Sequence, residues 1–343
     1  MKKIILILLS VLFLNQNVLA ATLFEALTET YKNNTDLNAE RENINISEED
    51  LKISKGNYLP AVTIFGSKSQ EETNKLTNRA GVEQSVNDVD PFTQSIKIEQ
   101  TLLDFGRNAD VQKNKIGINL AVAKLLKKEQ EVLLKAIEAY SGLILANQKL
   151  KINQSNLSLL ERQVETNKAR LERGQITLSD LAQSESSLAE AQSSFIQSQN
   201  EIVSNKLNYE NVIGPIMDIN SLNKNFDFDL MLPVSLSEAI NTSKKYNPEL
   251  IVAKLEYEQS EKDILISRSD LSPSAKLSYE NSRSQDLSSL YDERNKNTLK
   301  ATVTWPIYSG GKNRASLKKS RNLQNKKKLL LDSVTKNNNS NVA

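Results

Sequence analysis

The chain has 343 residues, with 44 Lys and Arg against 42 Asp and Glu, and it holds neither cysteine nor histidine. Those absences exclude disulfides, thiolate and imidazole metal centres, a cysteine nucleophile and a Ser-His-Asp triad. The two excess positive charges, Lys2 and Lys3, sit at the extreme N-terminus, so no general basic bias points to nucleic acid.

Residues 1–20, MKKIILILLSVLFLNQNVLA, read as a Sec-type signal peptide. Lys2 and Lys3 form the basic region, Ile4–Leu14 the apolar core, and Val18-Leu19-Ala20 the cleavage site. The apolar core falls short of the roughly 18–20 residues that a spanning helix needs. No later segment has a long apolar run, so a membrane role has to come through β-strands.

The spacing predicts a helix over 36–55. A first strand follows in YLPAVTIFG (58–66), carried by Val62 and Ile64. A second strand lies at 95–99, where Ile96 and Ile98 alternate with Ser95, Lys97 and Glu99. Residues 107–170 lack proline and predict one amphipathic helix, about 96 Å long at 1.5 Å per residue. Its seam runs through Leu133, Ile137, Tyr140 and Ile144, and continues at Leu157, Leu160, Val164 and Leu171. Gly174 then suits a left-handed C-cap, and Thr177 or Ser179 suits the next N-cap. Over 177–213, Leu181, Leu188, Phe195, Ile202 and Tyr209 recur every seven residues. Thr177, Ser184, Ala191 and Ser198 form a parallel row of small residues, which allows close antiparallel helix contact. A connector at 214–233 carries Gly214, Pro215 and Pro233. Two more alternating strands lie at 275–280 (Ala275, Leu277, Tyr279) and 299–305 (Leu299, Ala301, Val303, Trp305). The segments 68–91 and 283–297 read as polar loops, and 334–343 as a frayed polar end.

The chain repeats itself. LFEALTETYKNNTDL (23–37) aligns with LSEAINTSKKYNPEL (236–250) at an offset of 213, and LLDFGRN (102–108) with IYSGGKN (307–313) at 205. The resulting domains are a signal peptide (1–20), a first repeat (21–213), a connector (214–233) and a second repeat (234–343). The first repeat has strands at about 58–68 and 92–103 and a helical hairpin over 107–213. The second has strands at about 273–283 and 298–307 and the start of a long helix. It stops short of a second hairpin tip, and so reads as incomplete.

An apolar strand face opposite a charged one, with Tyr58, Tyr279 and Trp305 near the ends, fits porin-type spanning strands. If the alternation holds, Lys97, Glu99, Lys276, Glu280 and Lys300 face the lumen. Four strands cannot close a barrel, which takes about eight at least, so spanning strands would have to be shared among several chains. Catalysis finds no support: the carboxylates sit mostly on helix faces with lysine neighbours, and no Gly-rich phosphate loop is present.

These residues resemble the outer-membrane efflux protein (TolC) family. The likeness rests on the duplicated plan, the openings NNTDL (33–37) and NPEL (247–250), and the turns LLDFGR (102–107) and WPIYSGGK (305–312). The most specific match is RLERGQITLSDLAQ (170–183), similar to the family's hairpin tip in Arg170, Gly174, Asp180 and Leu181. The resemblance implies an α+β membrane protein. Long antiparallel α-helical hairpins would form a periplasmic α-barrel, and four β-strands per chain would join a shared trimeric outer-membrane β-barrel. It implies a homotrimer in the outer membrane, in contact with its lipid, exporting small molecules or proteins. The partners would be a periplasmic adaptor, contacted by the four tip residues, and an inner-membrane transporter. No cofactor, nucleic acid or enzyme activity is implied. Two other readings stand beside it: a periplasmic coiled-coil scaffold, and a non-functional truncated fragment.

Overall fold

The computed structural model describes residues 22–83, 88–216, 218–224, 233–288 and 291–343. The signal peptide and part of the connector fall outside the described residues. The chain runs α1 (Leu23–Asn33), α2 (Thr35–Gly56), β1 (Ala61–Lys68), β2 (Phe92–Leu103), α3 (Arg107–Glu172) and α4 (Leu178–Val212). A 3-10 turn (Ile219–Ser221), α5 (Leu236–Tyr246), α6 (Pro248–Ser269), β3 (Ser274–Ser288), β4 (Tyr291–Thr304) and α7 (Lys312–Val342) follow.

The helices start where the sequence supplies a cap. The Thr22 hydroxyl accepts from the Glu25 amide at 3.2 Å, and the Glu25 carboxylate accepts from the Thr22 amide at 2.9 Å. Ser235 opens α5 with its hydroxyl, which accepts from the Glu238 amide at 3.2 Å, while the Glu238 carboxylate accepts from the Val234 amide at 3.0 Å. Asn34 Oδ1 accepts from the Leu37 amide and Asn247 Oδ1 from the Glu249 amide, starting α2 and α6. The two pairs of helices have matching limits at the offset of 213, and α3 and α7 begin 205 residues apart. The sequence repeat is therefore a repeat of structure.

The chain divides into two compact units. The first holds the described residues up to 41 and from 125 to 224. Its core gathers Leu23 and Ala26 of α1, Ala136, Ala139, Tyr140 and Leu143 of α3, and Tyr209, Ile213 and Leu222. Helices α3 and α4 lie antiparallel, since the partner on α4 moves down the chain as that on α3 moves up. Lys149 pairs with Glu201 at 2.6 Å, Asn153 Nδ2 donates to the Ser194 carbonyl at 3.2 Å, and Asn167 Nδ2 to Ser184 Oγ at 2.6 Å. On α4, Leu181 and Tyr209 of the heptad row and Ser184, Ala191 and Ser198 of the small-residue row are buried, whereas Leu188, Phe195 and Ile202 are half-buried. A Cβ at Gly142 would sit 2.8 Å from Asn205 Oδ1, so the helices meet closely there.

The upper seam of α3 differs from its expectation. The buried line is Val132, Ala136, Ala139, Tyr140, Leu143 and Ala146, whereas Ile137 and Ile144 only flank the core. Close helix contact places alanine at the centre of the seam and larger side chains beside it. Pattern reading picks out the larger ones. Lower down, Val164 is buried as expected.

The second unit holds residues 42–124 and those from 233 onward. Its four strands form one antiparallel sheet in the order β1-β2-β3-β4. Three further expectations need correction here. The first strand starts at Ala61, because Tyr58 and Leu59 close a turn onto the Lys55 and Gly56 carbonyls. The span 283–297 is largely a ladder of β3 and β4, with Arg283 opposite Asn295 and its Nε 2.9 Å from Glu293. Both faces are polar there, which conceals the period-two signal. Residues 334–343 are helical through Val342. Asn338 is buried, donating to Ser243 Oγ at 2.8 Å and accepting from Asn247 Nδ2 at 2.6 Å, and this clasp fixes the turn. Among the described residues, no helix is long and apolar enough to cross a membrane.

Candidate transport surfaces

The register of the sheet sorts its side chains into two faces, because directly opposed residues point the same way. Val62, Ile98, Tyr279 and Leu299 form one row across all four strands. Ile64 with Ile96, Leu277 with Ala301 and Ala275 with Val303 extend that face. Among the described residues nothing covers it: Leu299 is 72% and Val303 73% exposed. Below it, Phe105, Trp305, Ile307 and Tyr308 are exposed as well, and Trp305 Nε1 donates to the Leu271 carbonyl at 3.2 Å. Above it, Asn281, Arg283, Asn295 and Asn297 end the apolar band. A contiguous apolar patch of this kind, bounded by polar rows and aromatic side chains, is suited to lipid rather than water.

The opposite face collects all five charged residues predicted from the alternation. Glu99 bridges Lys97 at 2.7 Å and Lys276 at 3.1 Å. Glu280 lies opposite Lys97, and Lys300 opposite Ser278 in the row of Glu99. Two further cations share this face, Lys296 opposite Ser282 and Arg294 opposite Ser284. Sequence reasoning missed them by treating their segment as a loop. Their even spacing with Lys300 is the signal that would have found them.

Arg107 holds the point where α3 leaves the sheet. It is 8% exposed, its guanidinium donates to the Asn57 and Thr101 carbonyls at 3.0 Å each, and it lies 4.4 Å over the Tyr58 ring. The LLDFGR motif thus ties both ends of the first hairpin to the helix.

The tip of the α3–α4 hairpin is built from backbone requirements. The Gln175 amide donates to the Arg170 carbonyl at 2.9 Å and the Gly174 amide to the Leu171 carbonyl at 2.8 Å, which is a Schellman C-cap. Gly174 has φ +69°, with no heavy atom within 4 Å of a notional Cβ, so its conformation and not its surroundings calls for glycine. Thr177 caps α4 in a box with Asp180, whose carboxylate accepts from the Thr177 amide at 2.9 Å and hydroxyl at 2.8 Å. These hydrogen bonds, then the Arg170 charge, hold the Asp180 carboxyl below its ordinary range. Leu181 is buried in the hairpin. Of the four tip residues, Gly174 turns the chain, Asp180 caps, Leu181 packs, and Arg170 remains exposed. Arg173 and Leu178 are exposed beside it.

A sequence family described as outer membrane efflux protein matches residues 26–214 and 239–343. The outer membrane efflux protein BepC of Brucella suis biovar 1 is 24% identical over 321 residues, covering 93% of this chain and 68% of that protein. The proteases secretion protein PrtF of Dickeya chrysanthemi is 21% identical, covering 87% of this chain and 66% of its own length. The chain thus spans about two thirds of the length of these relatives. Solved structures share the fold. The CmeC outer membrane channel of Campylobacter jejuni matches with a TM-score of 0.73 at 15% identity, over 91% of this chain and 67% of CmeC. CusC matches with a TM-score of 0.73 at 17% identity, over 92% of this chain and 72% of CusC.

Proposed function

The chain belongs to the outer membrane efflux protein family, and from that premise we propose that it assembles as a homotrimeric channel-tunnel exporting small molecules or proteins. Its place is the outer membrane, with the helical part in the periplasm, and the family is one of channels rather than enzymes. The observation that carries the proposal is the sheet. It is apolar on one face, charged on the other and, among the described residues, unpaired at both the β1 and β4 edges. Bare edges and a bare apolar face are costly in water, and barrel closure removes both at once. Adding copies of an up-and-down four-stranded sheet edge to edge keeps every pairing antiparallel, so β4 of one chain meets β1 of the next. Three copies give an even-stranded barrel wide enough for a water-filled lumen. Lys97, Glu99, Lys276, Glu280 and Lys300 would then line the lumen, and the apolar rows would face lipid.

The hairpin tip supports coupling to a periplasmic adaptor and, through it, to an inner-membrane transporter. Gly174, Asp180 and Leu181 would shape the tip, and Arg170 would offer the adaptor its contact. Secretion of proteases, which the name of PrtF states for that relative, is one cargo class the channel would serve. Native mass spectrometry of the protein extracted from outer membranes tests the assembly. A trimer is expected. A monomer, or recovery only from the soluble periplasm, supports the scaffold reading instead.

A further inference from the structure

The charges on the polar sheet face are unevenly placed. On β2 and β3 they neutralise one another: Glu99 holds Lys97 and Lys276, and Glu280 lies opposite Lys97. On β4 the cations Arg294, Lys296 and Lys300 point to the same face, opposite Ser284, Ser282 and Ser278. None of the three has an ion pair among the described residues. Asp292, two residues from Arg294 along β4, is the nearest carboxylate on that strand's polar face. β4 is also a sheet edge, so its other neighbour in a closed barrel is β1 of the next chain. On this face β1 presents Ala61, Thr63, Phe65 and Ser67, with no carboxylate. Closure therefore sets no further carboxylate beside the three cations, which outnumber Asp292 on their strand three to one, and repeats them at every seam.

We infer that Arg294, Lys296 and Lys300 form a cationic ladder along each seam of the barrel, and that it makes this section of the channel favour anions and acidic solutes. The inference rests on the channel reading and adds the charge class of the solute to it. Fixed charges of one sign on the wall of an aqueous pore raise the local concentration of the opposite ion, an effect that salt screens. The segment 69–91 adds Glu71, Glu72, Glu83, Asp88 and Asp90 against Lys75 and Arg79, so its charge runs the other way. A comparison of variants confined to β4 leaves that contribution unchanged.

The test is the reversal potential of the purified full chain in a planar bilayer under a KCl gradient at low ionic strength. The wild type is expected to pass chloride in preference to potassium. The triple variant Arg294→Gln, Lys296→Gln, Lys300→Gln should lower the chloride-to-potassium permeability ratio by about twofold or more. Lys300→Glu should move it in the same direction. Polar exposed substitutions of this kind leave folding intact, which a trimer on native mass spectrometry verifies. Equal reversal potentials for wild type and triple variant, or cation preference in the wild type, overturn the inference while leaving the channel reading in place. Absence of any conductance overturns the channel reading, and the inference with it.

Discussion

Leu23 and Leu236 hold the same place in two copies of one motif, yet Leu23 is 8% exposed and Leu236 is 53% exposed. Their helices start from equivalent caps, Thr22 with Glu25 and Ser235 with Glu238. What differs is the cover. In the first copy, α3 and α4 bring Ala136, Ala139, Tyr140, Tyr209 and Ile213 against α1. In the second, α7 reaches α5 through Asn338, which is bonded to Ser243 and Asn247. The same local sequence thus makes the same helix in both places, while its contribution to a core is decided by residues far along the chain.

The comparison breaks most readily at Tyr140. Its ring is buried 6.3 Å from that of Tyr209, and its hydroxyl donates to the Asn223 carbonyl at 3.1 Å. Tyr140→Ala should cost about 3–5 kcal/mol in the first-copy core, seen as lost amide-exchange protection in α1, with α5 unaffected. Leu23→Ala should cost about 2–5 kcal/mol and Leu236→Ala no more than about 0.5. Equal losses at the two leucines would refute the difference in cover. The caps should behave alike: Thr22→Ala and Ser235→Ala are each expected to cost about 1 kcal/mol, read from exchange at the first turns of α1 and α5. The most selective probe is alkali. Burial pushes the Tyr209 phenol up to about 12 from its usual 10, with a smaller effect from Tyr140. The neutral phenol is the one the fold favours, so its stabilisation is intact below pH 10 and lost as pH rises through about 12. Tyrosinate absorbance should show a late-titrating phenol that Tyr209→Phe removes.

Much of the architecture was legible from residue patterns. The duplication, the α3–α4 hairpin, its Gly174 turn and the α4 heptads all depend on short-range spacing, which a sequence displays directly. The five charged positions on the polar sheet face were also legible, because alternation fixes which residues share a face once the strands are correct. The misses have a common physical origin. Arg294 and Lys296 were hidden because the ladder continues where both faces are polar. The α3 seam was misread because alanine marks close packing and carries little hydrophobic signal. The end of α7 was misread because three successive asparagines do not reveal which one is clasped by α5. Arg107 was legible as part of a motif, but its hold on Tyr58, Asn57 and Thr101 depends on contacts that no spacing rule shows.

The central claim is that one face of the sheet meets lipid and the other meets water. The chain has no cysteine, so single cysteines at Ile96, Lys97, Ile98 and Glu99 can be introduced cleanly and reacted with a membrane-impermeant maleimide in intact outer membranes. The account predicts labelling at 97 and 99 and protection at 96 and 98. Uniform labelling, or the opposite alternation, would contradict it.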